Sequence, residues 1–324
     1  MPATIYVTRQ LPEVALAPLR ARGVVRVWDR EDIIPRATLL DGVHDADALL
    51  CMVTERIDDE LLAHAPRLRI VANMAVGYDN VNVPALTNRG IVFTNTPGVL
   101  TETTADLAFA LILGIARRIG EGERMVRAGR WGAWSPFAFL GHDVHHATLG
   151  IIGLGRIGTE VAKRAHGFDM RILYTNRGRN AAAEERFGCT RVELPSLLRE
   201  SDFVLVLTPL SADTRHLLST PQFHMMKHSA FLINAARGPI VDARALYAAL
   251  RDGLIAGAAL DVTDPEPIPS DDPLLTLENC LIVPHVGSAS IATRTRMATL
   301  AADNIVAFLN GTRPPTPVNS EVLS

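Results

Sequence analysis

Leu149-Gly150-Ile151-Ile152-Gly153-Leu154-Gly155-Arg156-Ile157-Gly158 sets a short apolar run directly before a G-x-G-x-x-G pattern, and apolar residues at helical spacing continue from Thr159 to His166. A strand, a glycine turn and a helix in that order open a dinucleotide-binding unit. Each glycine serves a different need. Gly153 makes the tight turn, Gly155 allows the close approach of a diphosphate, and Gly158 lets the helix pack on the strand. The diphosphate is expected on exposed amides at the helix N-terminus, with Arg156 and Ile157 among the cofactor-binding positions.

Downstream of this turn, β-rich runs alternate with helix-like stretches: Arg171-Ile172-Leu173-Tyr174, Phe203-Val204-Leu205-Val206, Phe231-Leu232-Ile233, Ala258-Ala259-Leu260 and Leu281-Ile282-Val283. With the first run they predict six strands in one doubly wound sheet. Upstream lies a smaller series, Ile5-Tyr6-Val7, Val24-Val25-Arg26-Val27, Ala48-Leu49-Leu50-Cys51, Ile70-Val71-Ala72 and Ile91-Val92-Phe93. It ends at Asn95-Thr96-Pro97-Gly98, after which an apolar helix is expected from Thr101 to about Ile119. A last helix, Ala289 to Leu309, follows the complete second sheet and is expected to return to the first domain. The expected architecture is α/β with two domains. A doubly wound Rossmann cofactor domain, 99–287, is inserted into a flavodoxin-like substrate domain made of 1–98 and 288–324. Hinges are expected near Pro97 and Gly287, closing the two domains over the substrate.

The 324 residues suffice for two such domains, and 48% hydrophobic with 21% charged residues is the composition of a folded chain. Lys plus Arg number 32 against 35 for Asp plus Glu, so nothing in the charge favours nucleic acid as a partner. The longest nearly uncharged apolar stretch, Leu107 to Ala116, is too short to cross a bilayer, and Met1 to Thr8 has no leader pattern. Neither membrane insertion nor export is expected. Cys51, Cys189 and Cys280 stand far apart among apolar neighbours, which reads as buried reduced thiols in a cytoplasmic setting.

An NAD site normally carries Asp or Glu at the end of the second strand, to bind the ribose 2′-hydroxyl. Here that strand runs Leu173-Tyr174-Thr175-Asn176-Arg177-Gly178-Arg179, with no carboxylate before Glu184. A guanidinium holds a 2′-phosphate in a charge-assisted pair, so Arg177 and Arg179 point to NADPH, with NADH as the second cofactor. Three further polar residues follow successive strands of the same sheet: Arg237 after Asn234-Ala235-Ala236, Glu266 within Asp264-Pro265-Glu266-Pro267, and His285 after Pro284. Reduction of a 2-oxo acid needs a cation for the carboxylate, a proton donor for the nascent alkoxide, and an acid that orients the donor. Arg237, His285 and Glu266 match those roles in that order. Taken singly, each also reads as a surface ion pair, a structural histidine or an exposed loop acid.

The residues Ala75-Val76-Gly77-Tyr78-Asp79-Asn80, Asn95-Thr96-Pro97-Gly98, Leu154-Gly155-Arg156-Ile157-Gly158, Asn234-Ala235-Ala236-Arg237-Gly238, Leu260-Asp261-Val262 and Pro284-His285-Val286-Gly287-Ser288-Ala289 resemble the D-isomer-specific 2-hydroxyacid dehydrogenase family over nearly the whole chain. Within it, Trp131-Gly132-Ala133-Trp134-Ser135-Pro136 and Phe139-Leu140-Gly141 resemble the glyoxylate/hydroxypyruvate reductases. The resemblance implies Arg237 as substrate-binding and polarising cation, His285 as substrate-binding proton donor and Glu266 as its partner. It implies that Val76 and Gly77 offer backbone N–H groups to the substrate carboxylate, that Asp261 lies near the nicotinamide and that Thr104 lies near its ribose. Asn176, Pro209, Ala235 and Gly287 are the remaining expected cofactor contacts. In such reductases the segment around Trp131 and Trp134 reaches a partner subunit's site, so a homodimer is expected, with Trp134 touching substrate or only packing the dimer. Ala236 stands where a small hydroxyl residue often precedes the arginine, and His142, His145 and His146 read as surface loop histidines without a metal.

The expected activity is NADPH-dependent reduction of glyoxylate and hydroxypyruvate to D-2-hydroxy acids. A reductase of larger sugar acids such as 2-ketogluconate needs the same three residues and differs only in pocket volume, through residues such as Met52, Phe137 and Trp134. A nucleotide-sensing corepressor-like protein is the rival from another class. A formate-type dehydrogenase is disfavoured by the presence of Glu266.

Overall fold

In a computed structural model, which describes residues 2–323, the chain forms two compact units. One joins the chain up to Leu100 with the chain from Ala289 onward, and the other is Thr101–Ser288.

The first unit carries β1 (Ala3–Val7), β2 (Gly23–Val27), β3 (Ala48–Cys51), β4 (Ile70–Asn73) and β5 (Val92–Thr94), all parallel in the order β2-β1-β3-β4-β5. This is the flavodoxin-like doubly wound order. Strands β3 and β4 are buried along their whole length, as continuous apolar runs are when helices cover both faces. The last helix is Ile291–Leu309, capped by Ser290, whose hydroxyl accepts from the Thr293 N–H at 3.2 Å. Its Ala298, Ala301, Ala302 and Ile305 share a buried cluster with Leu16 and Leu19 of the helix Glu13–Arg20. The small residues on that face let the helix lie close to the sheet.

The second unit carries β6 (Thr148–Ile152), β7 (Arg171–Thr175), β8 (Thr190–Arg191), β9 (Phe203–Val206), β10 (Phe231–Asn234), β11 (Gly257–Leu260) and β12 (Cys280–Ile282). The order β12-β11-β10-β9-β6-β7-β8 is parallel throughout and is the Rossmann arrangement with one added strand. The crossover from β8 to β9 reverses direction about β6, so a crevice opens beyond the C-terminal ends of β6 and β9.

Three sequence expectations are corrected. The sheet has seven strands rather than six, because β8 is two exposed polar residues with no apolar signature. The helix after the glycine turn begins at Arg156 rather than Thr159, so Ile157 and Gly158 belong to its first turn. The apolar helix from Thr101 ends at Ala116, and a second helix without a fully buried residue spans Ile119–Arg127. The break lies at Arg118, which adopts a left-handed backbone (φ 52°) while its guanidinium binds Glu121 (2.6 and 2.8 Å) and the Leu140 carbonyl (3.1 Å). Among the described residues no helix is long and apolar enough to cross a membrane.

Candidate active site

At the end of β6 the backbone turns through Gly153 at φ 103°, a conformation that L side chains rarely adopt. A methyl group there would stand 2.6 Å from the Thr208 nitrogen and 2.7 Å from the Leu207 carbonyl carbon. At Gly158 it would stand 2.7 Å from the Gly153 carbonyl oxygen, so helix and turn touch backbone to backbone. Gly155 is the opposite case: a methyl group there would meet nothing within 4 Å. Gly155 caps the helix Arg156–His166 without any side-chain acceptor, so the cap leaves the first-turn amides of Arg156 and Ile157 for another acceptor. A two-phosphate anion fits this cradle.

Beyond the turn, β7 delivers a network. Asn176 is committed twice to Leu154, accepting from its N–H at 2.7 Å and donating to its carbonyl at 3.2 Å. Asn180 donates to the same carbonyl (3.0 Å) and to the Thr159 hydroxyl (3.2 Å). Tyr174 donates to Glu184 (2.6 Å) and accepts from the Asn180 N–H (2.9 Å). Arg179 is ion-paired with Glu184, Nε to Oε2 at 2.6 Å, and this bond, with that from Tyr174, holds the Glu184 carboxyl below its ordinary value. Arg177 is exposed, and its guanidinium has no hydrogen bond, ion pair or ring contact among the described residues. Asn176 is thus a clamp on the glycine turn, and Arg179 already has a counter-ion. Asn180 and Arg191 are members of this network that motif reading missed, because their partners are backbone groups remote in sequence.

At the ends of β10, β11 and β12 the other candidates gather. Asp261 is buried, and its two carboxylate oxygens accept from the Val286 N–H (2.6 Å) and the Gly287 N–H (2.9 Å). Burial pushes its carboxyl up against these two bonds. Gly287 packs against both Asp261 and Thr104, since an added methyl group would stand 3.0 Å from Asp261 Oδ2 and 3.3 Å from Thr104 Cγ2. Ala235 donates its N–H to the Val206 carbonyl (3.3 Å), and exposed Pro209 accepts from the Thr214 hydroxyl (2.8 Å). Both lie at strand ends on the edge that carries the glycine turn.

Asn234, buried at the end of β10, shapes the arginine turn. It donates to the Arg237 carbonyl (2.9 Å) and accepts from the Ala236 N–H (3.1 Å). Arg237 is half-buried and donates to the Ala236 carbonyl at 2.8 Å. His285 has φ 50°, and its N–H donates to the carbonyls of Asp261 (2.9 Å) and Val283 (3.0 Å). Its Nδ1 meets Glu266 Oε1 at 2.5 Å, with the two side chains 34% and 38% exposed. A carboxylate has only acceptors, so Nδ1 carries the proton in this pair. The register that sets Asn234 opposite Leu260, and Leu260 opposite Ile282, brings Arg237 and the Glu266–His285 pair out on neighbouring strand ends.

In the first unit, the Val76 carbonyl accepts from Asn95 Nδ2 (2.9 Å) and the Gly77 carbonyl from Asn73 Nδ2 (3.2 Å). Because a trans peptide points its C=O and N–H oppositely, the amides of Gly77 and Tyr78 face away from those asparagines. Trp134 lies on an irregular stretch of the second unit and is 85% exposed in the single chain. A cavity of about 430 Å³ between Ile115, Arg118, His142 and Leu281 includes none of the candidate residues. Among the described residues no group of three or more His, Cys, Asp or Glu is placed to hold a metal.

The family model for the NAD-binding domain of D-isomer specific 2-hydroxyacid dehydrogenases matches residues 109–287. A glyoxylate reductase of Korarchaeum cryptofilum (strain OPF8) is 50% identical over 324 residues, covering 100% of this chain and 98% of its own. A Thermus thermophilus protein of known structure superposes with a TM-score of 0.92 at 46% identity, over 97% of this chain and 99% of its own. An NADPH-dependent glyoxylate/hydroxypyruvate reductase of Sinorhizobium meliloti, solved with NADP and malonate, gives a TM-score of 0.84 at 33% identity, over 98% and 97% of the two chains.

Proposed function

The chain belongs to the D-isomer-specific 2-hydroxyacid dehydrogenase family and is an oxidoreductase with a nicotinamide cofactor, and from that premise we propose that it reduces glyoxylate and hydroxypyruvate with NADPH. The observation that carries this reading is the 2.5 Å Glu266–His285 pair, which with Arg237 follows the ends of β10, β11 and β12 on the sheet edge that holds the glycine cradle. Relatives named for glyoxylate reduction at 50% identity over the full chain support the substrate class.

Reduced nicotinamide, when bound, supplies hydride to the carbonyl carbon. Arg237 holds the substrate carboxylate in a fork and draws electron density toward the carbonyl oxygen. Val76 and Gly77 are assigned backbone N–H groups for that carboxylate, and the asparagine bonds to their carbonyls hold this loop in shape. His285 gives its Nε2 proton to the oxygen as negative charge develops there. Glu266, bound to Nδ1, fixes the ring orientation. Asp261 keeps the histidine loop in place through two backbone N–H groups.

Preference for NADPH rests on Arg177, an exposed guanidinium at the end of β7 with no carboxylate bound to it. A homodimer is the proposed assembly. The segment 119–140 exposes Ile119, Val126, Trp131 (72%), Trp134 (85%), Phe137 (83%) and Leu140, a run of large apolar side chains that a partner subunit would cover. Three free, buried cysteines fit a reducing cytoplasm. The test is loss of NADPH absorbance on adding glyoxylate, hydroxypyruvate or 2-ketogluconate. His285→Ala is expected to remove most turnover with cofactor binding intact. Near wild-type turnover in that variant refutes the proton-donor role, and fastest decay with 2-ketogluconate moves the substrate to the larger sugar acids.

A further inference from the structure

The β7 turn from Asn176 to Asn180 spends nearly all its polar side chains on itself: Asn176 and Asn180 on the Leu154 backbone, Arg179 on Glu184. The cation that a sequence reading pairs with Arg177, namely Arg179, already faces a counter-ion, so a phosphate brought to it would meet the Glu184 carboxylate. A different guanidinium reaches the turn from β8. Pairing of β7 with β8 sets Arg191 opposite Tyr174, and Arg191 Nη2 donates to the carbonyls of Asn176 (2.9 Å) and Arg177 (3.3 Å).

We propose that Arg191, rather than Arg179, is the second cation of the site for the cofactor's 2′-phosphate, an inference that rests on the NADPH reading above. A guanidinium has five N–H donors in a plane, and Nη2 supplies only two of them. The donors on Nε and Nη1 have no partner among the described residues, so they remain for an anion. Arg191 also turns the carbonyls of Asn176 and Arg177 toward itself, removing their negative ends from the space that a phosphate would enter. Glu184, the nearest acid in the network, is satisfied by Tyr174 and Arg179. The turn then offers two guanidinium groups, Arg177 and Arg191, for a dianion that NADH lacks.

The experiment measures KM for NADPH and for NADH with glyoxylate, in the wild type and in Arg177→Gln, Arg191→Gln and Arg191→Lys. Arg191 is exposed, so these variants are expected to fold. Arg191→Gln is expected to raise the NADPH KM about tenfold and leave the NADH KM within about twofold, as loss of one charge-assisted pair predicts. Arg191→Lys, which keeps the charge without the fork, recovers part of the loss. An equal rise for both cofactors makes Arg191 a prop for the turn and overturns the inference, as does no change for either. If the wild type prefers NADPH and Arg177→Gln loses that preference while Arg191→Gln keeps it, only this inference falls. If the wild type shows no preference and Arg177→Gln affects both cofactors alike, the NADPH reading falls and takes this inference with it.

Discussion

Two neighbouring glycines of the same turn are predicted to fail in opposite ways. In Gly153→Ala the new methyl group lies 2.6, 2.7 and 2.9 Å from backbone atoms of Leu207 and Thr208, none of which moves without displacing β9. The residue is also held at φ 103°. Strain of this kind costs about 1–3 kcal/mol, and overpacking against fixed atoms about 1–3 kcal/mol more. The sum, roughly 2–6 kcal/mol, lowers the melting temperature of a domain of this size by roughly 5–20 °C. In Gly155→Ala the methyl group enters open space at φ −88°, an ordinary angle for alanine, so stability stays within about 0.5 kcal/mol of wild type. The proposed site puts the diphosphate in that open space, so the same variant is expected to bind NADPH at least about tenfold more weakly, through lost contact with the helix amides. The assay pairs a thermal melt without cofactor with a fluorescence titration of NADPH on each variant. A Gly153→Ala melt indistinguishable from wild type, or Gly155→Ala binding NADPH normally, would show that the turn is not the cradle described.

Glu266→Gln keeps a hydrogen bond to His285 but loses its charge; for a pair about one-third exposed this amounts to about 1–2 kcal/mol, so kcat is expected to fall about 5–30-fold with the NADPH KM unchanged. Burial pushes the Cys189 thiol up to about 11 and the Cys280 thiol up to about 12, and lifts Cys51 as well. Iodoacetamide is therefore expected to label none of the three in the native protein and all three in urea, as mass spectrometry will count. Burial alone would raise the Asp58 carboxyl, but the Leu61 N–H and the Arg36 and Arg56 guanidinium groups outweigh it and hold the group below its ordinary value. Stability from that carboxylate is present above the unfolded pKa and lost as pH falls through the folded one. Asp58→Asn should thus lose up to about 1 kcal/mol in urea melts at neutral pH and converge on wild type in acid. Trp134→Glu is expected to shift the protein from dimer to monomer in light scattering, and an unchanged mass would remove that arm from the interface.

Much of this protein is readable residue by residue. The doubly wound units follow from apolar runs alternating with helical spacing, a pattern held within windows of ten to twenty residues. The glycine turn is legible because its backbone angles and close approaches exclude every side chain at Gly153 and Gly158. Arg237, Glu266 and His285 are legible because each follows its own strand by a few residues, so the sheet that orders the strands also orders the residues. The helix break at Arg118 was hidden, since Arg118 is a good helix former whose left-handed backbone is favoured by Glu121 and the Leu140 carbonyl.

Local backbone geometry and hydrophobic period are properties of neighbouring residues, so the amino-acid order alone determined the fold class and named the candidate residues. Which cation is spent and which is left depends on contacts across strands. The register that sets Arg191 against Tyr174, and the helix turn that brings Glu184 to Arg179, exist only once the chain is folded. Tertiary structure therefore decided that Asn176 clamps the glycine turn, that Arg179 faces a counter-ion and that Arg177 stands open. A side chain has one set of donors, and only the packed molecule says where they go.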